Sequence, residues 1–329
     1  MTEAIGRLGP LAEPQVMLRA FTTFRVGGPA DALVRVHTKE EMRRVADVVQ
    51  ATGTSAVVVG QGSNLLVADA GIRGLVIVLA GEFAATEFFD SDRTGGDDPG
   101  IVGWVTAGAA VKMPILARQS AARGRSGLEW MVGVPGSVGG GVRMNAGGHG
   151  SSVSESLLDV SVWSLDASEL RTVPGKDLEL RYRASNLRDC DVVLNATFAL
   201  TECDPGSAEV ELSEIVRWRR EHQPGGANCG SVFTNPVGDS AGRLIDSAGL
   251  RGYRIGSASV SEKHANFIQA DDNATAADIW ALIIEVRRRV FETFGVELHP
   301  EVRTAGFDAV LPTLSSTSPG GSDLTSDAP

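Results

Sequence analysis

The sequence predicts an α+β fold in which a small α/β lobe opens the chain, a strand-rich region follows, and a separate α+β unit closes it. Three observations carry this expectation. Strand-type runs at Ala32–Val36, Ser55–Val59 and Leu75–Leu79 surround a helix that starts at Thr38 and Glu41, a capping box. Gly133–Gly150, GVPGSVGGGVRMNAGGHG, is glycine-rich and almost uncharged. Thr275, with Asp278 three residues on, opens the clearest helix, whose apolar face is Ile279, Leu282, Ile283, Val286, Val290 and Phe294, and Gly295 follows where a C′ residue belongs.

The elements follow in order. After a loose N-terminus come the βαβ-like units already named, with the helix running to Val49. Ser91–Gly100, SDRTGGDDPG, reads as an acidic surface loop. Ile101–Ala107 resumes the strand pattern, Val111–Ala122 is an amphipathic helix, and short strand-type runs alternate with turns between Asp159 and Leu200. A second unit begins near Ala208 with a charged helix, Glu209–His222, ended by Pro224 and Gly225. A helix at Ser240–Ala248 and a strand and turn at Val260–Ala270 lead to the Thr275 helix. Beyond Gly306 the Ser-, Thr-, Pro- and Gly-rich tail is expected to be disordered.

Composition narrows the function. At 329 residues and 43% hydrophobic the chain can bury a large core and divide into two or three domains. A net charge of −11 argues against a nucleic-acid surface. No run approaches a membrane span, and Met1–Leu18 lacks the apolar stretch of a secretory leader, so a cytoplasmic protein is expected. The cysteines, Cys190, Cys203 and Cys229, are odd in number and form no CxxC pair, and the five histidines are scattered, so no disulfide framework or metal site is indicated.

The chemistry concentrates in two glycine-rich turns. Each glycine costs about 0.5–1 kcal/mol against alanine inside a helix or strand, so Gly133–Gly150 is not expected to be ordinary helix or strand. It offers instead backbone N–H groups that an anion can approach. A surface linker would carry Ser, Lys or Glu; this segment is bracketed by Leu128, Trp130, Met131 and Val132 and reads as buried against a large ligand. Gly60-Gln61-Gly62-Ser63-Asn64 follows a strand, where open α/β sheets bind ligands. Leu65 stands where a dinucleotide fingerprint needs its third glycine, so that motif fails, and no Walker A sequence is present. Together the two turns suit the two ends of one dinucleotide.

Seven segments taken together resemble one family: Phe24-Arg25-Val26-Gly27-Gly28-Pro29-Ala30, GQGSNLLV at 60–67, GLEWMVGVPGSVGG at 127–140, Tyr182-Arg183-Ala184-Ser185, GSVFTNP at 230–236 with AGRLIDSAGLRG at 241–252, SEKHANFI at 261–268, and His299-Pro300-Glu301-Val302-Arg303. The family is UDP-N-acetylenolpyruvoylglucosamine reductase (UDP-N-acetylmuramate dehydrogenase, MurB), and the likeness spans roughly residues 21–306. It implies a two-lobe FAD-binding module of the vanillyl-alcohol-oxidase (PCMH) type plus a C-terminal α+β substrate-binding domain. The expected units are residues 1–72 and 73–207 for the lobes, 208–305 for the substrate domain and 306–329 for the tail.

The resemblance also implies the chemistry. FAD, bound noncovalently, would be held by Gly60, Gly62, Ser63, Asn64 and Leu65, with Gly136, Ser137, Gly139, Gly140, Asn145 and Gly147 from the second turn. NADPH would reduce the flavin, whose N5 hydride would pass to C3 of the enolpyruvyl ether of UDP-N-acetylglucosamine, giving UDP-N-acetylmuramate for peptidoglycan synthesis. Carbanion character at C2 then needs a cation, donors and a proton. Arg183 resembles the carboxylate-binding arginine, Glu301 the C-terminal glutamate, which must be protonated to help an enolate, and Ser231 the proton donor. Tyr182, Asn235 and Lys263, the last with Glu262, would contact the sugar nucleotide. A monomer and no metal are expected.

Without the family context these residues have plainer readings: Arg183 as a surface ion-pair partner, Ser231 as a turn serine, Glu301 as a solvated strand-end carboxylate. Cys229 has no histidine near it in sequence except His222, so cysteine catalysis is disfavoured. His149 is read as packing or solvent-facing rather than as a covalent flavin link. The direct run from Tyr182-Arg183 to Val193–Leu200 resembles the shorter branch of the family, which lacks a lid insertion. Another flavin oxidoreductase of the same fold, such as a sugar oxidase, and a catalytically silent sugar-nucleotide binder remain open alternatives.

Overall fold

The computed structural model describes residues 1–90, 100–307 and 311. Apart from Gly100, the acidic loop Ser91–Gly100 lies outside the described residues, and so does the tail apart from residues 306, 307 and 311.

The first lobe is a four-stranded sheet ordered 12–17, 29–36, 72–79, 56–58. Ile72–Leu79 lies between two parallel neighbours and is buried along nearly its whole length, which suits its continuous apolar run. Helix Lys39–Thr52 has the expected N-cap, Thr38, whose side chain accepts from the Glu41 N–H, while the Glu41 carboxylate turns back to the His37 N–H at 2.6 Å. Gly53, at φ +61°, ends it. The N-terminus is less loose than expected. Thr2–Leu8 is helical, with Ala4 and Leu8 buried, and Ala12–Met17 is an edge strand antiparallel to Pro29–Val36. Pro14 and the exposed stretch within Ala12–Met17 hide the strand from pattern reading.

The second lobe is an antiparallel sheet ordered 169–174, 157–164, 191–202, 101–108, 86–90, with the short strand 125–126 beside 201–202. Helices Met113–Ala121 and Pro205–His222 accompany it; Ala208, Leu212 and Ile215 of the latter join its apolar core. A second expectation is corrected here: residues Val138–Arg143, inside the glycine-rich segment, form a short helix. Glycine is required there by contact, since a Cβ on Gly139 would lie 2.8 Å from the Ala109 Cβ, and one on Gly141 2.7 Å from the Met113 sulfur. Close packing onto the sheet outweighs the intrinsic cost of glycine in a helix.

The C-terminal unit holds helices Ala241–Ser247 and Ala276–Phe294 and a three-stranded sheet, 254–255, 258–260 and 268–270. Phe24, Val26 and Leu66 from the N-terminal part of the chain enter its core. Arg303–Ala305 returns to pair in parallel with Leu65–Val67, directly after the first glycine-rich turn. Asp69 fastens the same joint by accepting from the Ala276 and Ala277 N–H groups at 2.8 and 2.9 Å, at the positive end of the long helix. Replacing Asp69 with Ala is therefore expected to lower unfolding free energy by about 1 kcal/mol; a denaturant titration with an unchanged midpoint would remove this role. Among the described residues no helix is long and apolar enough to cross a membrane.

Candidate active site

The two glycine-rich turns meet. The Ser63 hydroxyl donates to the Pro135 carbonyl at 3.0 Å, and a Cβ on Gly60 would lie 2.5 Å from the Ser137 Oγ. Gly62, at φ +56°, lets its turn press against the preceding segment, where any Cβ would lie 2.0 Å from the Phe21 carbonyl oxygen. Among the described residues, the N–H groups of Gly60, Gln61, Gly62, Ser63 and Asn64 donate to no protein acceptor, and neither do those of Gly136, Ser137 and Gly140. So many free donors gathered in two turns that touch suit a ligand with several anionic oxygens, as in a pyrophosphate. The residues therefore fit an FAD diphosphate. Gly139 donates to the Ala109 carbonyl instead.

Asn145 does different work from that expected. Its side chain donates to the Arg181 carbonyl at 3.1 Å and accepts from the Ser154 N–H at 3.1 Å, which ties the second turn to residues 181–184. That tight turn is closed by paired bonds between Arg181 and Ala184 and holds Arg183 at φ +56°. A left-handed arginine is strained by about 1–3 kcal/mol and persists only where its surroundings hold it. Here the Arg183 Nε donates to Glu301 Oε1 at 2.5 Å, another nitrogen reaches the Gly147 carbonyl at 3.3 Å, and the guanidinium lies 5.1 Å from the centre of the Tyr182 ring. Tyr182 itself is exposed.

Glu301 comes from the other side of the cleft. Its N–H donates to the Val232 carbonyl at 2.7 Å, so the residue next to Ser231 is bonded to it directly. Burial pushes the Glu301 carboxyl above the ordinary carboxylate range, and the Arg183 guanidinium opposes that rise. Ser231 bridges Phe267 through its backbone, and its hydroxyl has no partner among the described residues. Neighbouring Cys229 is buried, and burial followed by the nearby Glu301 charge pushes its thiol up, so it is no ready thiolate.

The remaining expected residues sit further out or are already engaged. The Asn235 side chain accepts from the Ala241 N–H at 3.1 Å, at the start of helix 241–247. Lys263 Nζ donates to the Arg220 carbonyl at 2.5 Å, near the end of helix 205–222. His149 packs edge-on to Trp218 with ring centres 5.2 Å apart, and its ring also lies against Gly133. No cluster of three or more metal-ligating side chains exists among the described residues. Pattern reading missed the reach of the Asn64 side chain, which donates to the Glu301 carbonyl at 3.1 Å across 237 positions. No local signal could have shown it.

A two-lobed module in which Arg183 of the second lobe meets Glu301 of the C-terminal unit, with the unpartnered Ser231 hydroxyl next to the Val232 carbonyl that the Glu301 backbone bonds, is the site of an FAD-dependent oxidoreductase. Residues 30–172 match the family described as FAD binding domain, and residues 222–305 that described as UDP-N-acetylenolpyruvoylglucosamine reductase, C-terminal domain. The chain is 40% identical over 314 residues to the UDP-N-acetylenolpyruvoylglucosamine reductase of Agathobacter rectalis, covering 93% of this chain and 97% of that one. It is 42% identical over 288 residues to the enzyme of that name from Paramagnetospirillum magneticum, covering 87% and 89% of the two chains. The crystal structure of the Thermus caldophilus reductase (MurB) superimposes with a TM-score of 0.74 at 36% identity, covering 89% of this chain and 98% of that one. The chain belongs to the UDP-N-acetylenolpyruvoylglucosamine reductase family.

Proposed function

We propose that this protein reduces the enolpyruvyl ether of UDP-N-acetylglucosamine to UDP-N-acetylmuramate, with NADPH as the reductant, in the cytoplasm and as a monomer of three units; the lobes divide near residue 72, and the last unit, expected from residue 208, starts after helix Pro205–His222, which packs with the second lobe. The observation that carries the reading is the Arg183–Glu301 pair beside the unpartnered Ser231 hydroxyl, at the seam between the FAD cradle and the C-terminal unit. FAD, bound noncovalently and reduced by NADPH, would supply the hydride that adds to C3 of the enolpyruvyl group.

The protein's part is electrostatic and protonic. Arg183 offers a planar fork to the substrate carboxylate, where negative charge accumulates as C2 becomes carbanionic. Glu301, pushed toward its protonated form by burial, can donate to that carboxylate rather than repel it. Ser231 delivers a proton to C2; the developing carbanion is basic enough to take it from a hydroxyl. Tyr182, Asn235 and Lys263 are the residues proposed to contact the sugar nucleotide, which for Asn235 and Lys263 means competing with their present bonds to Ala241 and Arg220.

The test is an anaerobic spectrum of the purified protein. NADPH should bleach the flavin band, and UDP-N-acetylglucosamine enolpyruvate should restore it. Restoration by oxygen alone would favour an oxidase, and a protein unable to take up FAD would overturn the proposal.

A further inference from the structure

We infer that Asn64 is a positioning residue that couples occupancy of the pyrophosphate turn to the placement of Glu301; this rests on the function proposed above. Sequence reading puts Asn64 among the direct FAD contacts, but its groups point two ways. Its N–H is one of five consecutive amides without a protein acceptor and is the group left for an anion. Its carbonyl accepts from the Arg303 N–H at 3.0 Å, and its side-chain amide donates to the Glu301 carbonyl at 3.1 Å. Parallel pairing of Leu65–Val67 with Arg303–Ala305 starts at the very next residue.

Glu301 is thus held at two backbone points. Its N–H is anchored on Val232, next to Ser231, and its carbonyl on Asn64. Only the second anchor belongs to the cofactor turn. An anion that fixes the amides of residues 60–64 therefore fixes the Asn64 side chain, and through it the carboxyl that meets Arg183 at 2.5 Å. A misplacement of about 1 Å at a reacting centre can lower rate about a hundredfold, so a single hydrogen bond here has leverage well beyond its stability. Asn64 touches neither substrate nor reacting atoms in this scheme; it acts through Glu301.

The experiment uses full-length, FAD-loaded Asn64→Ser and Asn64→Asp, the latter matching asparagine in size but unable to donate from its ionised carboxylate. The expected result is a kcat on UDP-N-acetylglucosamine enolpyruvate lower by about ten- to a hundredfold in both variants, with KM, FAD affinity by fluorescence quenching and NADPH-driven bleaching unchanged in the neutral Asn64→Ser; Asn64→Asp, which adds a charge beside the diphosphate, is read only after saturation with FAD. A second readout needs no turnover. Amide hydrogen exchange at residues 301 and 302, next to the carbonyl that the Asn64 side chain holds, should slow when wild-type protein takes up FAD, and should not slow in either variant. Weakened FAD affinity with normal kcat once loaded would make Asn64 a cofactor contact and overturn the coupling. Wild-type-like kcat and exchange would also overturn it. Wild-type protein that does not consume the enolpyruvyl sugar would instead defeat the proposed function.

Discussion

Replacing Ser231 with alanine is expected to lower turnover of the enolpyruvyl substrate about 10²–10⁴-fold, the range for loss of a positioned proton donor, while NADPH still bleaches the flavin at the wild-type rate. The hydroxyl has no partner among the described residues, so its removal leaves no group unsatisfied. The segment that carries it is held independently. Val232 donates to the Asn266 carbonyl at 2.8 Å, and the buried Asn266 side chain bonds the Phe233 N–H and carbonyl at 3.0 and 2.8 Å. A folded protein with an intact reductive half-reaction and a slow oxidative one is therefore the signature, read by stopped-flow absorbance. Equal rates in both halves would remove Ser231 from the proposed chemistry.

Arg183→Ala is expected to lower kcat by about 10²–10³-fold, the loss seen when one preorganised charge-stabilising donor is removed. Arg183→Lys should recover little, because an ammonium cannot serve Glu301, the Gly147 carbonyl and a carboxylate with one planar fork. The pH dependence should move as well. Burial raises the Glu301 pKa and Arg183 holds it down, so without the guanidinium it rises further. Activity that needs protonated Glu301 is present below its folded pKa and lost as pH rises through it, so the alkaline fall of the Arg183→Ala profile should lie at higher pH than in wild type. Stability linked to this group has the same sign: it is full below the ordinary carboxylate range and disappears as pH climbs through the raised value. Superimposable pH–rate profiles would show that the ion pair does not tune Glu301.

Local chemistry explains which parts were legible. The Thr38 and Thr275 caps, the Gly295 stop and the apolar face of helix 276–294 are written within a few residues of where they act, and all are found as read except Phe294, which is exposed at the end of the helix. The glycine turns were legible because unhindered amides need no distant partner to be recognised. Helix 138–143 was not, since its glycines answer to Ala109 and Met113 on other elements. Asn145, Asn235 and Lys263 stand out in the sequence as polar residues within recognisable segments, yet their bonds to Arg181, Ala241 and Arg220 depend on how segments fold back together. The left-handed Arg183 is of the same kind: a motif displays the side chain but not the turn that aims it.

Leu65–Val67 finds its strand partner among the described residues only in Arg303–Ala305. During synthesis, then, the cofactor turn emerges from the ribosome early and stays unfinished until residue 305 has been made. The first lobe can collapse well before that, since its sheet draws only on residues 12–79, but closure over so long a loop comes late. A nascent chain of this kind should be incompetent to retain flavin until Arg303–Ala305 docks, which places cofactor capture well after the first lobe has folded.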